Sequence, residues 1–139
     1  MKILPFRQND QDPQPVGYLD GSCGDFALAI VGEASYQPAI RKARRQVTKD
    51  NSGRLVIAVL VRCEPTNPHD ENAVRVSTLV GDTLGYLSRE NAQVYCAAIS
   101  AIEQSGRTVR CNATFYGGDQ ARPTIGVWLD LKSPADLLP

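Results

Sequence analysis

The pattern of short apolar segments separated by turn residues predicts a mainly β fold with two helices, of the α+β class: a small antiparallel β-barrel of about six strands. Three observations carry that prediction. Apolar residues recur with period two in Thr108–Phe115 and again in Ile125–Leu129, on either side of the turn Gly117-Gly118-Asp119. Leu55–Val61 is an unbroken apolar run rich in β-branched residues, as a central strand covered on both faces requires. Helical spacing of apolar residues occurs in two segments, one after Pro38 and one after Ser88.

Taken in chain order, residues 1–22 carry Pro, Gln, Asp and Gly without periodicity. They read as a flexible or loosely packed N-terminal arm, with residues 23–139 forming a single domain. Phe26–Val31 is an apolar run with the length of a buried strand, stopped by Gly32. Pro38 suits a first helical turn; Ile40, Ala43 and Val47 line one stripe while Arg41, Lys42, Arg44 and Arg45 fill the rest. The cluster Asp50-Asn51-Ser52-Gly53 should end that helix. After the central strand, Glu64–Asn72 forms a loop in which Pro65 and Pro68 fix φ and remove two donors, so the connection is rigid. Val74, Val76 and Val80 alternate with Arg75 and Ser77, and a Gly81-Asp82 turn leads into Thr83–Leu87, predicting a hairpin. Ser88 caps the second helix, whose stripe is Ala92, Tyr95, Ile99 and Ile102, and Gly106 ends it. The final hairpin follows.

Composition bounds the function. A chain of 139 residues with 42% hydrophobic residues can bury one core. Equal totals of Lys+Arg and Asp+Glu, 15 each, exclude a polycation that coats nucleic acid. No run of about 18 apolar residues suggests a membrane span, and the first residues lack a secretory h-region, so a cytoplasmic protein without membrane contact is expected. Cys23, Cys63, Cys96 and Cys111 form no C-x-x-C pair and His69 is the single histidine, so free, mostly buried thiols and no metal or other cofactor are expected. No Gly-rich phosphate loop, Ser/His/Asp set or paired-carboxylate spacing stands out, which points away from an enzyme.

The positive charge is nevertheless uneven. Arg41, Lys42, Arg44, Arg45, Lys49, Arg54 and Arg62 share their stretch with one acid, Asp50. This is either a phosphate-tracking surface or a solvated helix face. The loop Asn67-Pro68-His69-Asp70-Glu71-Asn72 gathers carboxylates, an imidazole and two amides beyond what packing needs. Its residues either cap turns or meet a ligand, and Glu64, His69 and Asp70 are a conceivable divalent-metal set. Arg89 opposes the dipole of the helix it begins, an arrangement that a phosphate at the helix N-terminus would rationalise. Tyr86 shares a strand face with Leu84 and is either core or site; Tyr36 is the remaining candidate aromatic.

Three segments together resemble the HIRAN domain family: Ile30-Val31-Gly32-Glu33-Ala34-Ser35-Tyr36-Gln37, Cys63-Glu64-Pro65-Thr66-Asn67-Pro68-His69-Asp70-Glu71-Asn72-Ala73-Val74-Arg75-Val76, and Leu84-Gly85-Tyr86-Leu87-Ser88-Arg89-Glu90-Asn91-Ala92. The resemblance runs from about Phe26 to Ile102. It implies a modified OB-like β-barrel that binds the 3′ end of single-stranded DNA, with Asp70 bonding the terminal hydroxyl, Arg89 a backbone phosphate and Tyr86 lining the same pocket. The chain departs from the DNA-binding members at His69, where they have an aromatic, and at Ala34 and Ser35, where they have an arginine and a stacking tyrosine.

The resulting expectation is a non-enzymatic nucleic-acid-binding module that recognises single-stranded DNA 3′ ends or fork-like DNA in repair or replication. Tyr36, His69, Asp70, Tyr86 and Arg89 would line its groove, and Arg41, Lys42 and Arg45 would follow the backbone. A helicase or nuclease is the candidate protein partner. The alternatives are a protein-interaction or adaptor domain that has lost the groove and, more remotely, a metal-dependent hydrolase acting on nucleic acid through Glu64, His69 and Asp70.

Overall fold

A computed structural model describes residues 17–138. Most of the arm expected over residues 1–22 therefore lies outside the described residues. Eight strands and three α-helices follow: β1 Tyr18–Asp20, β2 Leu28–Ala29, α1 Gln37–Arg44, β3 Thr48–Lys49, β4 Leu55–Cys63, β5 Val74–Thr78, β6 Thr83–Tyr86, α2 Arg89–Gln104, β7 Thr108–Gly117, β8 Ile125–Leu129 and α3 Pro134–Leu137. A 3-10 turn, Glu33–Tyr36, leads directly into α1.

Six strands form one antiparallel path in the order β2-β8-β7-β4-β5-β6, with β1 parallel to β7 and β3 antiparallel to β4 at the margins. The fold is mainly β, a curled half-barrel, as its alternating segments predict. The two ends of the curl meet just past β2, where Val31 N–H donates to Tyr86 O at 2.7 Å and Tyr86 N–H donates to Val31 O at 3.0 Å. That approach needs the glycine before Tyr86, because a Cβ on Gly85 would lie 2.6 Å from the Val31 carbonyl oxygen. Beyond the bridge no strand among the described residues covers β8. The Gln37 side chain does so instead, donating Nε2 to Ile125 O at 3.0 Å and accepting Ile125 N–H on Oε1 at 2.9 Å.

The core lies inside the curl, built by Val59 and Val61 of β4, Val76 and Leu84 of the β5–β6 hairpin, Val109 of β7, and Val127 and Leu129 of β8, with Ile99 of α2 against them. Period-two alternation holds along β7, where Val109, Cys111 and Ala113 point inward. Ser88 caps α2 as expected, its Oγ accepting Asn91 N–H at 3.1 Å, and Ala92, Tyr95, Ile99 and Ile102 are buried along one face.

Several elements differ from the sequence reading. Tyr18–Asp20, grouped with the arm for want of periodicity, pairs with Thr108–Arg110 of β7. The run Phe26–Val31 contributes just a two-residue strand, because the chain turns out to bridge Tyr86 and leaves Val31 exposed. Helix α1 stops at Arg44 rather than at the Asp50 turn; the β-branched Val47 and Thr48 favour extended backbone, and Thr48 pairs with Val56 instead. The same early pairing leaves Leu55 exposed at the start of the otherwise central β4. In the β5–β6 hairpin the register shifts between Val76 and Ser77, so Ser77 and Thr78 are buried and Val80 is 82% exposed in the turn. A third helix, short α3, begins at the cap Ser133. All four cysteines are free, but Cys111 alone is fully buried; Cys63 and Cys96 are half-buried and Cys23 is exposed. Among the described residues no helix is long and apolar enough to cross a membrane.

Candidate functional site

The site is built around the rigid loop Glu64–Asn72 that joins β4 to β5. Its backbone is held at the ends by Glu64 N–H donating to Ala73 O at 2.8 Å and by Ala73 N–H donating to Asp70 O at 3.0 Å. Asn67 organises the middle. Its Oδ1 accepts His69 N–H at 2.8 Å and Asp70 N–H at 3.2 Å, and its Nδ2 donates to Glu64 Oε1 at 2.8 Å. Pro65 and Pro68 remove two backbone donors from this segment, leaving the amide of Asn67 to fix it.

Two neighbouring elements lock onto the loop. Tyr86, at the end of β6, donates its hydroxyl to Glu64 Oε1 at 2.9 Å. Partial burial and then this bond to a carboxylate push the Tyr86 phenol up to about 12, so it remains a neutral donor through the physiological range. Arg89, in the first turn of α2, donates Nη2 to the His69 carbonyl at 3.0 Å. The Val31–Tyr86 bridge brings the Glu33–Tyr36 turn to the same place, with the Tyr36 and Tyr86 ring centroids 6.4 Å apart and tilted by 48°. Tyr36, His69, Asp70, Tyr86 and Arg89, distributed over three segments of the sequence, thus meet at one place.

Within it, His69 and Arg89 are exposed while Tyr36, Asp70 and Tyr86 are half-buried. Asp70 Oδ1 accepts Asn72 N–H at 2.9 Å; no described residue bonds its Oδ2. One carboxylate oxygen is therefore fixed and the other is presented. Arg89 likewise keeps nitrogens beyond the one on His69 O, beside the first-turn amides of a 16-residue helix. The arrangement can accept a hydrogen bond from a hydroxyl at Asp70, attract an anion at Arg89 and place a planar group against two tilted rings.

The basic residues of α1 do not join this cluster. Arg41 and Lys42 are exposed on a helix that leads away from Tyr36, Arg45 is exposed just past its end, and Lys42 forms an ion pair of 3.5 Å with Asp82 in the β5–β6 turn. Among the described residues no three His, Cys, Asp or Glu side chains cluster as a metal would require; Glu64 is turned toward Tyr86 and Asn67 instead. Glu64 as the partner of Tyr86 is the role that sequence reasoning missed, since Glu64 lies in the loop, Tyr86 lies on β6 and no local spacing links them. Half-buried Cys63, at the base of the loop, has its thiol pushed up to about 12 by burial and by the carboxylate of Glu103, and its Sγ is 3.9 Å from that of Cys96. A cavity of about 670 Å³ beside Leu19, Ile102 and Leu137 shares none of the site residues.

Comparison with known proteins places these features in a family. The HIRAN domain matches residues 38–126, more than half of the chain, including the loop, Tyr86 and Arg89 and beginning just after Tyr36. The chain is similar to a protein of known crystal structure from Lactobacillus plantarum, at 24% identity and a TM-score of 0.46 over 73% of this chain and 86% of that one. It is also similar to the HIRAN domain of human HLTF, at 20% identity and a TM-score of 0.35 over 76% of this chain and 74% of that one. No curated protein matches.

Proposed function

The chain belongs to the HIRAN domain family, and on that premise we propose that it is a non-enzymatic module that binds single-stranded DNA by its 3′ end, in the setting of repair or replication. Membership supports nucleic-acid binding. The observation that supports end recognition is the setting of Asp70: its Oδ1 is fixed by Asn72 N–H, and it follows His69, whose carbonyl accepts from Arg89, in the loop that Tyr86 holds through Glu64.

In this reading the terminal hydroxyl donates to Asp70 Oδ2, a charge-assisted bond worth roughly 1.5–3 kcal/mol. Arg89 and the N-terminus of α2 take the adjacent phosphate. The terminal base packs against Tyr36 and His69, a contact worth about 1–3 kcal/mol per base. Tyr86 supports the pocket as a neutral hydroxyl held on Glu64, which keeps that carboxylate engaged rather than facing the phosphate. Arg41, Lys42 and Arg45 contribute long-range attraction rather than contact at the end. Fluorescence anisotropy with short oligonucleotides ending in a 3′-hydroxyl or a 3′-phosphate tests the reading, because a terminal phosphate removes the donor and sets negative charge against Asp70. The 3′-hydroxyl form should bind about tenfold or more tightly; equal affinities refute end recognition.

A further inference from the structure

The outer face of the β7–β8 hairpin carries a second feature that the end site does not use. Inward positions of β7 are Val109, Cys111 and Ala113, so Arg110, Asn112, Thr114 and Tyr116 face outward; on β8, Gly126 and Trp128 do the same. The half-buried Tyr116 and Trp128 rings lie 5.8 Å apart, tilted by 52°. Tyr116 is laid across Gly126, where any side chain would collide with its ring. Arg122, from the connecting turn, stacks 4.5 Å above Tyr116.

Two more such stacks flank this pair. Arg110 lies 5.5 Å over Tyr18 of β1. Arg54 lies 4.7 Å over Phe26, and it precedes Leu55, whose carbonyl accepts the hydroxyl of outward-facing Thr114 at 2.9 Å. All three Arg–aromatic stacks among the described residues, together with the single tryptophan, are thus associated with one sheet face. The acids along this strip are Asp20, Asp25, Asp50, Asp119 and the buried Asp130; Asp20 accepts Ser22 N–H, Asp50 accepts Arg54 N–H, Asp119 accepts Arg122 N–H, and Asp130 accepts Asn112 N–H and Gly24 N–H. A guanidinium already lying on a ring loses little side-chain freedom when its other face receives a base, and its charge serves a passing phosphate.

We propose that this strip is a second contact surface for single-stranded nucleic acid, a stacking platform for the part of the strand away from its end. Phosphates match its three cations, and bases match its alternation of planar cations and rings, which is the combination used for sequence-tolerant single-strand binding. Its ten-residue strand β7 spans about 33 Å, enough for several nucleotides. The proposal rests on the chain being a nucleic-acid binder, though not on recognition of a 3′-hydroxyl.

Trp128 emission supplies the test, since no other tryptophan contributes. The full chain is titrated with oligothymidylates of about three and about twelve nucleotides, the first filling one site and the second long enough for both. The longer strand should quench Trp128 and bind about tenfold or more tightly than the shorter. The double variant Arg54→Ala/Arg122→Ala, which changes two exposed side chains, should lose that advantage while keeping the affinity of the short strand. Asp70→Ala should lose 3′-hydroxyl preference and keep the quenching. If the short strand binds with hydroxyl preference but the long one binds no tighter and leaves Trp128 unchanged, the platform is refuted and the end site stands. If neither strand binds, nucleic-acid binding itself fails and the platform with it.

Discussion

At the scale of single residues, the site depends on side chains whose partners are distant in sequence. Tyr86 shows the consequence most clearly. Its phenol, pushed up to about 12 by burial and by Glu64, lies above the ordinary value of about 10. The folded state therefore holds this proton more tightly than the unfolded chain does, so the stabilisation is full below about pH 10 and is lost as pH rises through about 12. An ultraviolet titration of tyrosinate should show a late step that Tyr86→Phe removes, and that Glu64→Gln moves to lower pH without altering the separately raised Tyr95. A titration unchanged in both variants would contradict the pairing. The density of polar groups in Asn67–Asn72 made the loop legible as a candidate site from sequence, because packing does not require them. The bond from Tyr86 to Glu64 was not legible, since it exists once β6 has curled against the end of β4.

Elements follow the same division between local and long-range causes. The β7–β8 hairpin and α2 could be read directly, as their period and their caps lie within the segment itself. Strand β1 could not, because its three residues, two of them exposed, become a strand through pairing with Thr108–Arg110, and Gln37 gave no sign that its amide would complete the edge of β8. The Gly85 contact is the element-scale feature that closes the curl and sets Tyr36 beside Tyr86. Substituting Gly85→Ala presses a methyl group against the Val31 backbone oxygen, which is held by Tyr86 N–H, and overpacking of this kind typically costs about 1–3 kcal/mol. Urea unfolding should show a lower midpoint of that size, with weakened oligonucleotide binding even where the variant is folded. A midpoint equal to that of the parent would show that the bridge does not depend on this glycine.

For the whole molecule, neutral total charge and a sparse, placed set of cations set the character of binding. Fifteen basic residues against fifteen acidic ones leave no general attraction for nucleic acid, so affinity must come from local contacts. On single strands each neutralised phosphate adds a salt dependence of about −0.7 in the logarithmic slope. Arg41→Ala/Arg45→Ala should flatten that slope while preserving the preference for a 3′-hydroxyl, since α1 leads away from the end pocket; loss of the preference would place α1 inside it. The most direct test of the central claim crosses the two ends with one residue: binding of 3′-hydroxyl and 3′-phosphate oligonucleotides to the parent chain and to Asp70→Ala. The parent should prefer the hydroxyl by about tenfold or more, and the variant should show no preference, having lost the oxygen that receives the proton. A preference that survives unchanged in Asp70→Ala would contradict the assignment of Asp70 as the residue that reads the end.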